Sequence, residues 1–183
     1  MENEKRLYTL IVHSENIAGI LNQVTAVFTR RQINIESLNV SASSIEGVHR
    51  YTITAFADKD TIGKIVSQIE KKVDVLQCQC FTDDEIFMQE VALYKVTTAT
   101  LTGNPEMSEV IRKYGANIIE VNPTFSVIEK TGQTKDIIAL NQELTGLGGL
   151  LQYVSSGRVA ITRARIEHVN EYLEKIEKRY GNK

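Results

Sequence analysis

The first residues whose types and spacing could bind a ligand lie in His13–Leu21, HSENIAGIL, where a strand pattern gives way to a helix pattern. A helix N-terminus presents unpaired backbone N–H groups and a partial positive charge, and both suit a carboxylate. Gly19 has no side chain to keep a ligand away from that backbone, although glycine inside a helix costs about 1 kcal/mol relative to alanine. The run therefore predicts a site for a small zwitterion such as a free amino acid.

Two asparagines close to this run have alternative interpretations. The side chain of Asn16 either bonds the ligand or caps the helix, and Ser14 is a second candidate for the cap. Asn34, at the start of the next predicted strand, either completes a binding site or only forms a turn. The residues by themselves leave both alternatives open.

The other reactive side chains form no catalytic or metal-binding pattern. Cys78 and Cys80 point to one face of a predicted strand, where small apolar packing is the expected role. His13, His49 and His168 are scattered singly, without the ligand spacing of a metal site. The run TGLGGLL lacks the strand-turn-helix context of a phosphate- or dinucleotide-binding loop, and no serine or cysteine stands in a nucleophile motif. We therefore predict no catalytic residue, no metal ligand and a protein that is not itself an enzyme.

Composition and charge argue against several classes of partner. The 183 residues carry a formal net charge of -2, with basic and acidic residues interspersed, so nucleic acid and membrane surfaces are poor candidates. No apolar stretch approaches the roughly 20 residues of a membrane span. The start, MENEKRLYTL, has neither the apolar core of a signal peptide nor the character of a transit peptide. We expect a cytoplasmic protein.

The elements that must position the first run follow the order βαββαβ. Alternation of apolar and polar residues predicts the strands, and apolar spacing of three and four predicts the helices. This order is the split unit of ferredoxin-like folds. The predicted elements are strand Arg6–His13, a helix over Ile17–Phe28, strand Asn34–Ser43, a turn at Ser44–Gly47, strand Val48–Ala57, a helix from Asp58 to Ile69 and strand Val73–Phe81.

A second copy of this unit follows an acidic break at Thr82–Glu85. The segments Ile33–Asn39, INIESLN, and Ala116–Asn122, ANIIEVN, align without a gap, and each follows an amphipathic helix. Asn104-Pro105-Glu106 is a strong helix start. The predicted elements are strand Val91–Ala99, a helix over Asn104–Tyr114, strand Ala116–Asn122, strand Thr124–Lys130, a helix over Thr134–Leu144, a glycine-rich crossover over Thr145–Gly157 and strand Arg158–Thr162.

The chain ends in a predicted helix over Ile166–Tyr180 with apolar residues at heptad spacing. It either packs on its own domain or lies against another subunit. The predicted fold class is therefore α+β, with two tandem ferredoxin-like modules and a C-terminal helix. The predicted domains are 1–82, 86–165 and 166–183.

Taken together, the motifs of the first unit resemble one family. The run HSENIAGILNQVTAVFTRRQINIESLNV is similar to the opening of the acetolactate (acetohydroxyacid) synthase small subunit, whose first half is an ACT domain, a ferredoxin-like module that binds amino acids. The matching residues are Asn16, Gly19-Ile20-Leu21, and Phe28 through Arg31 to Asn34-Ile35-Glu36-Ser37-Leu38. The resemblance continues in VDVLQC, QEVALYKV, NIIEVNP and SSGRVAITR and covers about residues 6–165.

The resemblance implies where a ligand binds. Members of the family hold a branched-chain amino acid, usually valine, between the ACT domains of two chains. The implied site combines Asn16, Ile17, Ala18, Gly19 and Ile20 of one chain with Asn34 and Ile35 of the facing chain.

The resemblance also implies partners and cofactors. The chain is expected to form a homodimer and to stimulate a large catalytic subunit, which carries thiamine diphosphate, Mg²⁺ and FAD; none of these is expected in this chain. Two features depart from the family: Gln23 stands where a basic residue is usual, and His13-Ser14 replace more usual residues before the ligand loop. The tail beyond Arg165 is also longer than in many relatives.

Three functions follow from these observations. The first is a feedback-regulatory subunit of acetolactate synthase. The second is a stand-alone amino-acid-binding ACT protein that serves another enzyme or a transcriptional regulator. The third is a small ferredoxin-like enzyme with a site that the motifs do not reveal.

Overall fold

The computed structural model describes residues 4–163 and Lys178. The described residues divide into two compact units, one formed by residues 4–87 together with 158–163, and the other by Met88–Gly157. The C-terminal helix predicted over residues 166–180 lies outside the described residues, Lys178 apart. None of the described helices combines the length and apolar character that crossing a bilayer requires.

The first unit is a four-stranded antiparallel sheet with two helices on one face. Its strand order is the second, third, first and fourth, as the ferredoxin-like prediction requires. The predicted βαββαβ order is confirmed. The elements are β1 (Arg6–Glu15), α1 (Ile20–Thr29), β2 (Ser37–Ala42), β3 (Val48–Ala57), α2 (Lys59–Glu70) and β4 (Val75–Phe81).

The core of the first unit lies between the sheet and its helices. Alternate residues of β1 and β3 face the helices, and each helix buries one apolar stripe, as the spacing predicted. Asp58 begins α2 by accepting a hydrogen bond from the backbone N–H of Thr61 at 2.8 Å. The fully buried residues at the centre include Leu10, Val12, Val24, Phe28, Ile53, Ile65 and Ile69.

The second unit repeats the same topology. Its four principal strands follow the order second, third, first, fourth, so the internal repeat predicted from INIESLN and ANIIEVN is confirmed at the level of topology. Tyr94, fully buried, donates a hydrogen bond from its hydroxyl to the carbonyl oxygen of Ile137 at 2.8 Å. The elements are β5 (Ile86–Thr97), α3 (Thr98–Gly103), α4 (Pro105–Lys113), β6 (Asn117–Val121), β7 (Phe125–Gly132), α5 (Thr134–Gly146) and β8 (Leu150–Ser155).

The end of this unit differs from the prediction. The closing strand is β8, which lies inside the stretch Thr145–Gly157 that was predicted as a crossover. The predicted closing strand becomes an additional strand, β9 (Val159–Thr162), which pairs with β5. The misleading residues are Gly148 and Gly149, which both adopt positive φ and turn the chain into β8. A glycine pair signals a break, but it does not say whether a strand follows at once.

The start of the second unit differs in a smaller way. Strand β5 ends at Thr97, and the next residues form the short helix α3 because the Thr97 side chain accepts a hydrogen bond from the N–H of Thr100. The predicted helix start at Asn104-Pro105 is confirmed for α4, where the Asn104 side chain accepts from the N–H of Glu106 at 3.0 Å.

Candidate functional site

The candidate ligand loop joins β1 to α1. Strand β1 ends at Glu15 and α1 begins at Ile20, so Asn16, Ile17, Ala18 and Gly19 form the connection, and all four are exposed. The helix therefore begins three residues later than its apolar spacing predicted. Ile17 is 51% exposed in the loop, whereas Ile20 is 2% exposed and faces the core. Of the five loop residues predicted for the site, Ile20 can offer a ligand only its backbone.

The cap position of α1 is occupied by Gly19. Its φ is 92°, in the left-handed region, and no side chain caps the helix. The prediction that Asn16 or Ser14 is the N-cap is therefore wrong. Strand β1 continues past its predicted end at His13, so Ser14 belongs to the strand. Its side chain is fully buried and donates a hydrogen bond to Tyr51 Oη at 3.2 Å.

At the start of α1, the backbone N–H of Ile20 donates to the carbonyl of Ile17 in the loop at a long 3.4 Å. The first turn of α1 holds no acidic residue, whereas α2, α4 and α5 carry Asp60, Glu106 and Asp136 in theirs. A Cβ built on Gly19 would meet no heavy atom within 4 Å, so the space before the helix is open in the described part of the chain. The first N–H groups of a helix have no partner within it. An external carboxylate can accept from them with favourable charge.

The Asn16 side chain is available to a ligand. Its backbone N–H donates to the Gly47 carbonyl at 2.9 Å, which ties the loop to the β2–β3 turn, while its amide makes no hydrogen bond to any described residue. The loop and the turn together line a pocket of about 510 Å³. Glu15 and Glu46 make this side acidic, which suits an ammonium group and not a carboxylate. The sequence did not predict these two acids as part of the site. They line the same pocket because β1 pairs with β3, which brings Glu15 next to the turn that contains Glu46.

Asn34 and Ile35 lie just before β2. Asn34 is exposed and makes no hydrogen bond to a described residue, whereas Ile35 is half-buried and packs against the core of the first unit. Ile35 therefore fixes the backbone on which Asn34 is displayed. Both residues were predicted to serve the facing chain of a dimer.

Strand β2 is an edge of its sheet. It pairs only with β3 among the described strands, so its outer backbone groups are available to another chain. The edge strand also carries an exposed apolar side chain, Val40, which is 39% exposed. An unpaired edge with an exposed apolar side chain suits extension of the sheet by a second copy.

Burial keeps two titratable side chains of the first unit, His13 and Cys78, in their neutral forms. Burial, together with the neighbouring Arg50 guanidinium, lowers the pKa of His13 from 6.5 to about 4, so the imidazole is neutral at pH 7. Burial chiefly raises the pKa of the Cys78 thiol, which therefore stays protonated and packs in the core as expected. In the described part of the chain, no three His, Cys, Asp or Glu side chains cluster as metal ligands would.

Comparison with family models gives two matches that divide the chain as the two sheets do. Residues 10–77 match the small subunit-like ACT domain of acetohydroxyacid synthase (AHAS), and residues 89–164 match the model described as the small subunit of acetolactate synthase.

Whole-chain relatives carry the same description. The acetolactate synthase small subunit of Bacillus subtilis (strain 168) is 32% identical over 160 residues, which covers 87% of this chain and 91% of the relative. That of Mycobacterium bovis is 32% identical over 158 residues and is covered to 93%. The crystal structure of the acetolactate synthase small subunit from Thermotoga maritima superposes with a TM-score of 0.78 at 26% identity, covering 88% of this chain and 99% of that one.

Proposed function

The chain belongs to the acetolactate synthase small-subunit family, and from this premise we propose that it is a non-catalytic regulatory subunit that binds a branched-chain amino acid, with valine as the expected effector. It stimulates a separate catalytic subunit in the synthesis of valine, leucine and isoleucine, and the effector reverses that stimulation. Thiamine diphosphate, Mg²⁺ and FAD are assigned to the catalytic subunit, and the cytoplasm is the expected compartment.

The observation that carries the proposal is the uncapped start of α1. Gly19 leaves the helix N-terminus open, and neither a side-chain cap nor an acidic residue occupies it. A branched-chain amino acid has one carboxylate for these N–H groups and one ammonium, for which Glu15 and Glu46 lie nearby. Ile17, half exposed in the same loop, offers an apolar contact for the branched side chain.

A dimer completes the site in this proposal. Two copies pair through their β2 edges about a two-fold axis, which forms one continuous sheet and two equivalent sites. Asn34 of one copy then faces Asn16 and Gly19 of the other. The effector inhibits by favouring one of two arrangements of the pair, with a typical coupling free energy of about 1–3 kcal/mol.

Substitution of Asn34 tests the site. We expect Asn34→Ala to abolish inhibition by valine while stimulation of the catalytic subunit persists, because the amide serves the ligand and not the fold. The matched control is Asn117→Ala at the same position of the internal repeat, where the Asn117 amide donates to Glu129 at 3.3 Å within its own sheet. Titration calorimetry with valine, leucine and isoleucine identifies the effector. Unchanged inhibition of the Asn34→Ala protein would show that the site assignment is wrong.

Isolation of the chain with its partner tests the subunit role. A pull-down from the native cell should recover a large thiamine-dependent synthase, and the purified chain alone should form no acetolactate from pyruvate. Recovery of a different enzyme or a transcriptional regulator would favour a stand-alone amino-acid-binding protein. Intrinsic acetolactate formation would contradict the non-catalytic role.

A further inference from the structure

The face of the first sheet that is turned away from its helices is polar but buried. Thr9 pairs with Thr54 across β1 and β3, and Ile11 pairs with Thr52. Thr9, Thr52 and Thr54 are 0%, 2% and 3% exposed. Threonine is mostly exposed in folded proteins, so this face is covered and not open to solvent.

Part of the cover is the segment of residues 158–163, here named the strap, which contains β9. Asn39 on β2 donates its side-chain amide to the carbonyl of Arg158 at 3.0 Å, and Arg50 on β3 donates its guanidinium to the carbonyl of Ala160. Ala160 is 3% exposed, while Val159 and Ile161 are more than half exposed. Alternation along the strap therefore turns one side onto the sheet and the other outward.

An ion pair between buried Arg158 and half-exposed Asp83 fixes the beginning of the strap. The Arg158 side chain is 5% exposed, and its guanidinium lies 2.7 Å from Asp83, just after β4, and 3.5 Å from the hydroxyl of Thr9. A buried charge must be paired because desolvation without a partner is costly. At the other end, the backbone N–H of Arg163 donates to the carbonyl of Glu85 at 2.9 Å. The strap is thus held at both ends and at Ala160 between them.

The strap also lies between the proposed ligand-binding segment and the second unit in the chain of contacts and backbone. Asn39 lies on β2, which begins two residues after Ile35; Asn34 and Ile35 are the residues proposed to reach the ligand of the facing copy. On the other side, the strap follows β8 after only Ser156 and Gly157. A shift of β2 acts on the strap through Asn39, and two residues of backbone join the strap to β8 of the second unit.

We propose that the strap is the coupling element of the subunit, and that Asn39 and Arg50 transmit the effector signal from β2 and β3 to the second unit without binding the effector themselves. This inference rests on the proposed function. The coupling free energy would come from contacts of the strap that differ between the two arrangements of the dimer, because an effector can shift an equilibrium only through such differences.

A double variant tests this role in the reconstituted holoenzyme. Asn39→Ala with Arg50→Met removes both side-chain donors to the strap while leaving the strap sequence intact. The matched control is Ser41→Ala, which lies on the same face of β2, pairs with Arg50 and makes no side-chain bond to a described residue. For each protein we would measure thermal unfolding, calorimetric binding of valine, stimulation of the catalytic subunit and inhibition by valine.

The expected outcome separates binding from response. Valine affinity of the free double variant should stay within about threefold of wild type, while the valine concentration for half-maximal inhibition should rise by about tenfold, within the usual range of coupling factors. Ser41→Ala should match wild type in both. Hydrogen exchange should be faster over residues 158–163 in the double variant only.

A milder variant covers the case in which the double variant does not fold. Asp83→Asn removes the charge but keeps an oxygen that can accept from the Arg158 guanidinium, and the Asp83 side chain is 49% exposed, so folding is less at risk. We expect it to raise the half-inhibitory valine concentration by about threefold. If a folded variant of either kind is inhibited like wild type, the coupling role is overturned and the proposed function stands. If the wild-type chain binds none of the three amino acids, the proposed function fails and the coupling fails with it.

Discussion

At the scale of single residues, the candidate site depends on the backbone conformation of Gly19 and on its lack of a side chain. Its positive φ lets the chain enter α1 without a side-chain cap, and the absent Cβ leaves the helix N-terminus approachable. Both properties belong to glycine alone, since other L-residues pay to adopt this conformation.

Replacement of Gly19 by alanine separates these effects. We expect Gly19→Ala to lower the free energy of unfolding by about 1 kcal/mol, because the cost is backbone strain alone and the Cβ meets no neighbour. Valine affinity should fall as well. The control, Gly63→Ala inside α2, has ordinary backbone geometry and open space, so it should stabilise by up to about 1 kcal/mol. Urea denaturation followed by circular dichroism measures both, and equal stabilities would contradict the left-handed conformation of Gly19.

The imidazole of His13 makes a pH-dependent contribution. Its pKa falls from 6.5 to about 4 on folding, so between these two pH values the imidazole is protonated in the unfolded chain and largely neutral in the folded chain. Stability is therefore lost as the pH falls from about 6.5 towards 4. Relative to His13→Gln, the wild-type protein should lose roughly 1–2 kcal/mol between pH 7.5 and pH 4.5, allowing for the partial exposure of the ring. Parallel pH profiles of the two proteins would show that the pKa of His13 is not lowered.

At the scale of elements, the glycine pair before β8 decides how the second sheet closes. Gly149 accepts a hydrogen bond from the N–H of Thr97 at 2.9 Å, which starts the pairing of β8 with β5. Both Gly148 and Gly149 have positive φ, but their surroundings differ. Gly148 faces open space, whereas a Cβ on Gly149 would lie 2.7 Å from the Cβ of Thr100.

Alanine at these two positions should therefore have unequal effects. We expect Gly149→Ala to destabilise the second unit by about 2–3 kcal/mol, because the backbone strain at positive φ and the steric clash with Thr100 add together. Gly148→Ala should cost only about 1 kcal/mol, since it carries the strain alone. Differential scanning calorimetry of the two variants and the wild-type protein gives the comparison. Similar losses at both sites would mean that Thr100 does not approach Gly149.

At the scale of the whole molecule, the β2 edge controls assembly in our proposal. A charged residue on an edge strand opposes pairing with another chain. We expect Val40→Lys to weaken the dimer by at least about tenfold in dissociation constant and to abolish valine binding, because each site takes Asn34 from the facing copy. Sedimentation equilibrium measures the first effect and calorimetry the second.

The control for assembly lies in the second unit. Ile138 on α5 is 47% exposed, comparable with Val40 but remote in sequence from the β2 edge. Ile138→Lys should leave the dimer and valine binding unchanged. A Val40→Lys protein that remains a dimer and binds valine would contradict pairing through β2.

What the sequence determined by itself is local and periodic. Alternation and helical spacing predicted both βαββαβ units and the internal repeat, and Asn104-Pro105-Glu106 predicted the start of α4, because faces and helix starts depend on residues a few positions apart. The helix-start run and the family resemblance pointed to Asn16, Gly19 and Asn34. All three are exposed, and the Asn16 and Asn34 side chains make no hydrogen bond to a described residue.

Only the tertiary structure decided which strand closes the second sheet and what covers the first. Residues 158–163 have the pattern of a strand, and a pattern does not say which strand pairs with which. The bonds from Asn39 and Arg50 to the strap span 119 and 110 residues of chain. Such contacts depend on where folding brings distant segments of the chain together. The periodicity of apolar residues indicates only the face of the strand on which a residue lies, because it carries no information about the segment that packs against that face.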